Sequence, residues 1–163
     1  MTKKEFNFLI YFDEAINKNF NLEKDFDKDS FQNFLDLAGI KTSLNCLEVL
    51  RNLKLLDDNN KMKNAGVLLF CKEATRHLRS ATITCALFMG KTKTKIIDSR
   101  EFDFDLYINY KKAFNYFKSN LRTEYIIKGG GLRKEILELP EEALKEALLN
   151  AIAHRNYFSG SNI

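Results

Sequence analysis

The sequence lacks the features that mark secreted, zinc-binding and membrane-spanning proteins. Its three cysteines, Cys46, Cys71 and Cys85, are far apart among apolar neighbours, and there is no CxxC pair. This pattern is typical of reduced, buried thiols rather than of disulfides or a metal site. The apolar stretch near the N-terminus is short and is followed by Asp13 and Glu14, so it predicts neither a signal peptide nor a membrane span. We therefore expect a cytoplasmic protein without a membrane partner.

Charge of one sign is not concentrated anywhere in the chain. The net charge is +4 at pH 7 over 163 residues, and the lysines are spread along the sequence. This balance permits binding to a polyanion without requiring it. The length allows one ordinary domain or two small ones, and the apolar content of 45% is sufficient for a packed core.

The N-terminal part predicts a linker followed by two helices. Residues 1–24 contain the strand-like FNFLIYF and a loop, and we interpret them as a linker from a missing upstream domain. One helix is expected from about Asp29, with Ser30 as its N-cap and Gly39 at its end. A second helix follows Ser43, with leucines and Val49 as its apolar stripe.

The segment after the second helix predicts a β-hairpin. In KLLDDNNKMKNAGVLLF, a polar DDNN turn separates a short apolar run from a stronger run at Gly66–Phe70. Two helices and a hairpin over residues 25–71 have the outline of a winged helix. The side chains expected to contact DNA phosphates there are Arg51, Lys54, Lys61 and Lys63.

Residues 72–139 predict an α+β body with a small mixed sheet flanked by helices. ATITCALFMG is the clearest strand, and KTKTKIID extends as an edge strand whose lysines either prevent strand pairing or meet an acidic partner. A long amphipathic helix is expected from Phe104 to Leu121. Tyr125–Ile127 and Lys134–Leu137 are β-prone on either side of GGG, which lacks the spacing of a phosphate-binding loop and is interpreted as a hairpin turn.

The last helix carries a polar row. Pro140 precedes EEALKEALLNAIAHR, and the acidic residues of the first turn suit the positive end of the helix dipole. Glu146, Asn150 and His154 are four residues apart each time and therefore share one side of the helix. An apolar face runs alongside them, made of Leu144, Ala147, Leu148, Ala151 and Ile152. From spacing alone the row is either a solvated face, an anchor for a loop, or part of a binding site.

PEEALKEALLNAIAHRNY, followed by Gly160 and Ser161, resembles a stretch of the RecG-related, Schlafen-type AlbA-domain family of transcriptional regulators and ATP-dependent helicase-like proteins. The resemblance extends loosely over nearly everything after Phe12. In that family such a helix opens a domain similar to the GHKL ATPases. The resemblance implies that Glu146 orients the attacking water, that Asn150 helps to hold Mg²⁺ on the phosphates of ATP, and that His154 and Arg155 lie at the nucleotide.

Two departures from the family limit what the resemblance implies. Asn156 stands where the family usually has Asp, and no later adenine-binding motif or glycine-rich segment follows Ile163. We therefore expect residues 140–163 to be the first helix of a truncated GHKL-like domain, and the chain to be a middle piece that does not turn over ATP alone. DNA and a second copy of the chain are the expected partners. The alternative hypothesis is a non-catalytic scaffold or dimerisation module.

Overall fold

The computed structural model of the chain describes residues 12–90, 92–127 and 133–163, and it describes residues 125–127 and 133–135 by their backbone only. The fold is α+β, as predicted. The Cα positions group into two compact units. The first unit contains the chain up to Thr82 together with Asp103–Tyr107 and Asn156–Asn162, and the second contains Ile83–Phe102, Ile108–Arg155 and Ile163. The four-segment division expected from the sequence stays a prediction.

The first unit is helical. Its elements, in chain order, are α1 (Leu22–Asp25), α2 (Lys28–Leu37), α3 (Cys46–Asn52), α4 (Asn64–Phe70), α5 (Ala74–His77) and a 3₁₀ turn at Arg79–Ala81. The strand-like FNFLIYF lies outside the described residues except for Phe12. Phe12 stacks on Tyr157 with ring centroids 5.5 Å apart and meets Phe158 edge-on at 4.9 Å.

The two predicted N-caps are wrong by a few residues. Asp27, not Ser30, caps α2, because its carboxylate accepts the N–H groups of Asp29 at 3.0 Å and Ser30 at 3.1 Å. Asn45, not Ser43, caps α3: its side chain accepts the N–H of Glu48, whose carboxylate accepts the N–H of Asn45. This reciprocal pair is a capping box, which satisfies two helix-terminal donors together.

The predicted strand at Gly66–Phe70 is wrong, because these residues belong to helix α4. A short apolar run is compatible with a buried strand or a buried helix, and here Val67, Leu68 and Phe70 are all buried. The expected hairpin is reduced to an isolated bridge between Leu56 and Met62 around the DDNN turn. The winged-helix outline therefore has a helix in place of its second strand.

Four phenylalanines form the centre of the first unit. Phe70 lies 5.2 Å from Phe31, 5.4 Å from Phe34 and 6.2 Å from Phe26, measured between ring centroids, with mostly edge-to-face geometry. Such pairs stabilise a core beyond the burial of their area. Phe26, Phe31 and Phe70 are each at most 5% exposed. This cluster joins α2 to α4.

The second unit alternates strand pairs with helices. Its elements are β1 (Ile83–Phe88), β2 (Ile96–Phe102), most of α6 (Leu106–Asn120), β3 (Thr123–Ile127), β4 (Arg133–Leu137) and α7 (Glu141–Ala153). β1 pairs antiparallel with β2, and β3 pairs antiparallel with β4, giving two separate two-stranded sheets. Both predicted helices are confirmed, and each predicted strand is found at least in part. The single small mixed sheet predicted from the sequence is wrong, because the described strands form two separate pairs and both pairs are antiparallel. The GGG turn lies outside the described residues.

The core of the second unit lies between the β1–β2 pair, α6 and α7. Ile83, Cys85, Ala113 and Leu148 are buried there, and partly buried aromatic and aliphatic side chains surround them. Burial raises the pKa of the Cys85 thiol to about 11. Within the part of the chain that the structure describes, no helix has the length and apolar character needed to span a membrane.

Candidate functional site

Helix α7 is positioned by its first turn. Pro140 precedes it with φ −60° and ψ 135°, and no side chain caps the helix start. Instead, the ammonium group of Lys118 on α6 donates a hydrogen bond to the Glu141 carboxylate at 2.7 Å. This hydrogen bond and the nearby charge of Lys145 both lower the pKa of the Glu141 carboxyl. The ammonium groups of Lys118 and Lys145 lie 5.9 and 5.5 Å from the ring centroid of Phe114. These contacts attach the start of α7 to α6.

Only a narrow side of α7 is turned inward. Leu148 is buried, and Leu144 and Ile152 are half-buried. The apolar face predicted from the sequence is too wide, since Ala147 and Ala151 are exposed. A helix at the surface of its unit buries only a stripe of its circumference, and the flanking alanines lie beyond that stripe.

The polar row faces solvent. Glu146, Asn150 and His154 are all exposed, and they follow one another along α7. Residues four apart on a helix have Cβ atoms about 6 Å apart, close enough for one ligand to contact two of them. His154 closes the helix, and its N–H donates to the carbonyl oxygen of Asn150 at 3.0 Å. Arg155, the fourth predicted nucleotide-binding residue, is half-buried directly after the helix.

The side chains of the polar row are not used to hold the fold. None of the three makes a hydrogen bond or ion pair with a described residue, and none lies in a cluster of three or more acidic, histidine or cysteine side chains among those residues. A carboxylate and an amide oxygen are the ligand types that Mg²⁺ takes from proteins, usually one or two at a time together with phosphate oxygens. The row exposes one group of each of these two ligand types, in Glu146 and Asn150.

The four predicted DNA-binding residues lie around one turn of the first unit. The guanidinium of Arg51 donates to the side-chain oxygen of Asn60 from Nε at 3.0 Å and from Nη2 at 2.6 Å. Lys54 follows α3 with φ +59°, and the N–H of Lys63 donates to the carbonyl of Leu55 at 2.9 Å. Lys61 is exposed in the same turn.

Acidic residues lie among these basic side chains. Asp57 holds the turn by accepting the N–H of Lys61 at 2.7 Å, and Asp58 follows it in sequence. The local positive potential is therefore smaller than four basic residues alone would produce.

Sequence reasoning did not identify the cavities of the first unit. One, of about 840 Å³, lies between α1, α2 and α3 and is lined mainly by apolar side chains, among them Phe26, Phe31, Leu35 and Leu47. A smaller one of about 310 Å³ lies beside Phe34 and Tyr107. The apolar spacing of α2 and α3 indicated which residues turn inward, but the space left between helices depends on how the helices pack.

Comparison with known proteins gives a fold and no family. No family model and no curated protein matches the chain. One similar solved structure is that of the DIP2311 protein from Corynebacterium diphtheriae, with a TM-score of 0.69 and 19% sequence identity. The match covers 93% of this chain but only 30% of that protein. This chain thus spans less than a third of the protein it matches, and at this identity the likeness concerns the fold alone.

Proposed function

We propose that the chain is part of a nucleotide-dependent, DNA-associated regulator or helicase-like protein, in which α7 supplies one side of an Mg–ATP site. The observation that carries the proposal is the exposed row of Glu146, Asn150 and His154, whose side chains have no partner among the described residues. Asparagine has a poor helix propensity and is more favourable at caps and turns. Its presence in the interior of α7, without a structural contact, favours a ligand as the reason for it.

In this proposal the residues have separate roles. Asn150 places its amide oxygen on Mg²⁺, and the metal neutralises charge on the phosphates. Glu146, one turn earlier, orients or deprotonates the attacking water. His154 and Arg155 contact phosphate at the end of the helix. The GHKL-like and AlbA-related assignments rest on the resemblance of PEEALKEALLNAIAHRNY to that family.

The test is a titration of Mg–ADP into the isotopically labelled chain, followed by backbone amide shifts. We expect shifts clustered on residues 146–155, their loss in Asn150→Ala, and their retention in Asn115→Ala. Asn115 is the matched control because it is an exposed asparagine on helix α6. Shifts that are absent from α7, or that persist unchanged in Asn150→Ala, would contradict the proposal. Phosphate release by this chain above background would contradict the expectation that it has no turnover alone.

The DNA contact is tested separately. Replacing Arg51, Lys54, Lys61 and Lys63 by alanine is expected to weaken binding to labelled duplex DNA and to flatten its salt dependence, since each phosphate contact contributes about 0.9 to the slope. The matched control replaces four exposed basic residues of the second unit, Lys93, Lys95, Lys112 and Arg122, and changes the net charge equally. Equal affinity in the first variant and the unmodified chain would remove the proposed DNA surface.

A further inference from the structure

The outer edge of β2 is paired with no other strand among the described residues. The N–H of Thr84 donates to the carbonyl of Ile163 at 3.0 Å, so this N–H points away from β2. Thr84 is opposite Glu101, and Ala86 is opposite Ser99. In an antiparallel ladder the direction of the backbone groups repeats every two residues, so the N–H and C=O of Ser99 point away from β1. Neither group of Ser99 has a backbone partner among the described residues.

The side chains along this edge are solvent-exposed and partly apolar. Ile96 and Ile97 are 56% and 55% exposed at the start of β2. Natural edge strands commonly carry charges or prolines that prevent pairing with another chain. β2 carries Asp98, Arg100 and Glu101, but its adjacent exposed isoleucines favour pairing. The lysines of KTKTKIID, which we considered as residues that prevent strand pairing, precede the strand, because β2 begins at Ile96.

The charged residues of β2 are complementary to those of a second, antiparallel copy of β2. Asp98 and Arg100 lie on either side of Ser99 and contact each other at 3.4 Å between Oδ2 and Nε. If two copies of β2 run antiparallel with Ser99 opposite the partner's Ser99, each Asp98 faces an Arg100 of the other chain. Cross-strand pairs of opposite charge stabilise a sheet, whereas like charges directly opposite each other destabilise it.

We propose that β2 pairs antiparallel with β2 of a second copy of this chain, about a two-fold axis at Ser99, to form the four-stranded order β1–β2–β2–β1. The two copies of Ser99 then exchange two backbone hydrogen bonds. This inference concerns the β1–β2 edge only and does not depend on the nucleotide or DNA proposals.

The register follows from the charges. The backbone N–H and C=O groups that point away from β1 belong to the odd-numbered residues of β2. These residues must be opposite one another in the dimer, so only registers that pair odd-numbered with odd-numbered residues are possible. A two-fold axis at Asp98 or at Arg100 places two like charges together, and an axis at Glu101 does the same. Only the axis at Ser99 makes both charge pairs favourable.

The dimer is expected to be weak. The ladder is irregular at Leu87 and Phe88 of β1, which are opposite the start of β2, so the regular part of the edge is short. A single pair of short strands buries less than the roughly 1,600 Å² of a standard stable interface. Dimerisation should therefore appear only at high protein concentration.

Sedimentation equilibrium of the full chain at up to millimolar concentration tests the proposal through a charge swap. We expect a dimer of the 19.0 kDa chain, a dissociation constant raised about tenfold or more in Arg100→Asp, and restoration in the double variant Asp98→Arg, Arg100→Asp. The double variant keeps the composition of the strand and the complementarity about Ser99. A chain that stays monomeric at this concentration, or a dimer that does not respond to Arg100→Asp, would overturn the proposal.

A cross-link tests the register directly. In the proposed pair the Cα atoms of Ser99 and the partner's Ser99 are about 5.5 Å apart, within the range of a disulfide. Ser99→Cys in a Cys46→Ser background should form a disulfide-linked dimer under mild oxidation. The matched control is Ser43→Cys in the same background, because Ser43 is also exposed but lies in the other unit. Equal cross-linking of both variants would mean random collision and would overturn the register.

Discussion

The replacement of Phe70 by alanine should remove a large part of the stability of the first unit. Phe70 is 2% exposed and contacts three other phenylalanine rings. Truncation of a buried phenylalanine costs about 3–5 kcal/mol, and the better helix propensity of alanine offsets about 0.5 kcal/mol of that in α4. We expect a net loss of about 3–4 kcal/mol, which is a substantial fraction of the 5–15 kcal/mol typical of a domain.

Thiol labelling measures this loss within the first unit. Cys71 follows Phe70 and is 1% exposed, so a reagent reaches it only when the unit opens. In a Cys46→Ser background, Phe70→Ala should raise the labelling rate of Cys71 by a factor of about 10²–10³ where opening is fast relative to labelling. Leu37→Ala is the control, because Leu37 is 63% exposed on α2. An increase below about tenfold, or an equal increase in the control, would refute the role of the aromatic cluster.

Three further predictions concern local structure. Gly66→Ala should destabilise the chain by about 1 kcal/mol in urea unfolding, because the added Cβ would collide with the buried side chain of Met62. This overpacking costs about 1–3 kcal/mol, which exceeds the gain in helix propensity of about 1 kcal/mol. A more stable variant would contradict this reasoning. Asn45→Ala should cost about 1 kcal/mol in the same assay and Ser43→Ala almost nothing, and equal losses would refute the capping box. Between pH 9 and 11 the Cys85 thiol ionises in the unfolded chain but stays mostly neutral in the folded chain, so the free energy of unfolding should fall as the pH rises. Cys85→Ala should flatten this pH dependence. An unchanged slope would exclude Cys85 as its cause.

Long periodic segments could be predicted from the sequence because one period dominated each of them. The helix predicted from Phe104 to Leu121 is found at Leu106–Asn120, and the strand in ATITCALFMG at Ile83–Phe88. Their boundaries differ by a few residues, since capping depends on which nearby side chain reaches a free N–H. At α2 that side chain is Asp27.

The short segment of α4 could not be predicted in the same way. Seven residues, NAGVLLF, contain too few turns for a helical period to show, and burial on several sides removes the polar face that would reveal it. Gly66 lies inside α4 although glycine is unfavourable in a helix interior. The structure gives its reason: a Cβ at this position would collide with the side chain of Met62.

For the polar row of α7, spacing determined which residues share a side of the helix, but it could not determine what that side meets. The fold turns Leu148 inward and leaves Glu146 and Asn150 outward, next to the exposed alanines Ala147 and Ala151. Bulky neighbours would shield a carboxylate and an amide from a polyphosphate, whereas alanine methyl groups leave both accessible. An ordinary solvated face gains nothing from small neighbours, and long charged side chains would cover it equally well. Leu149 is also exposed beside Asn150, so the row is accessible from the side of the alanines. On that side the polar groups, which have no side-chain partner among the described residues, favour a ligand over solvation as the reason for this row.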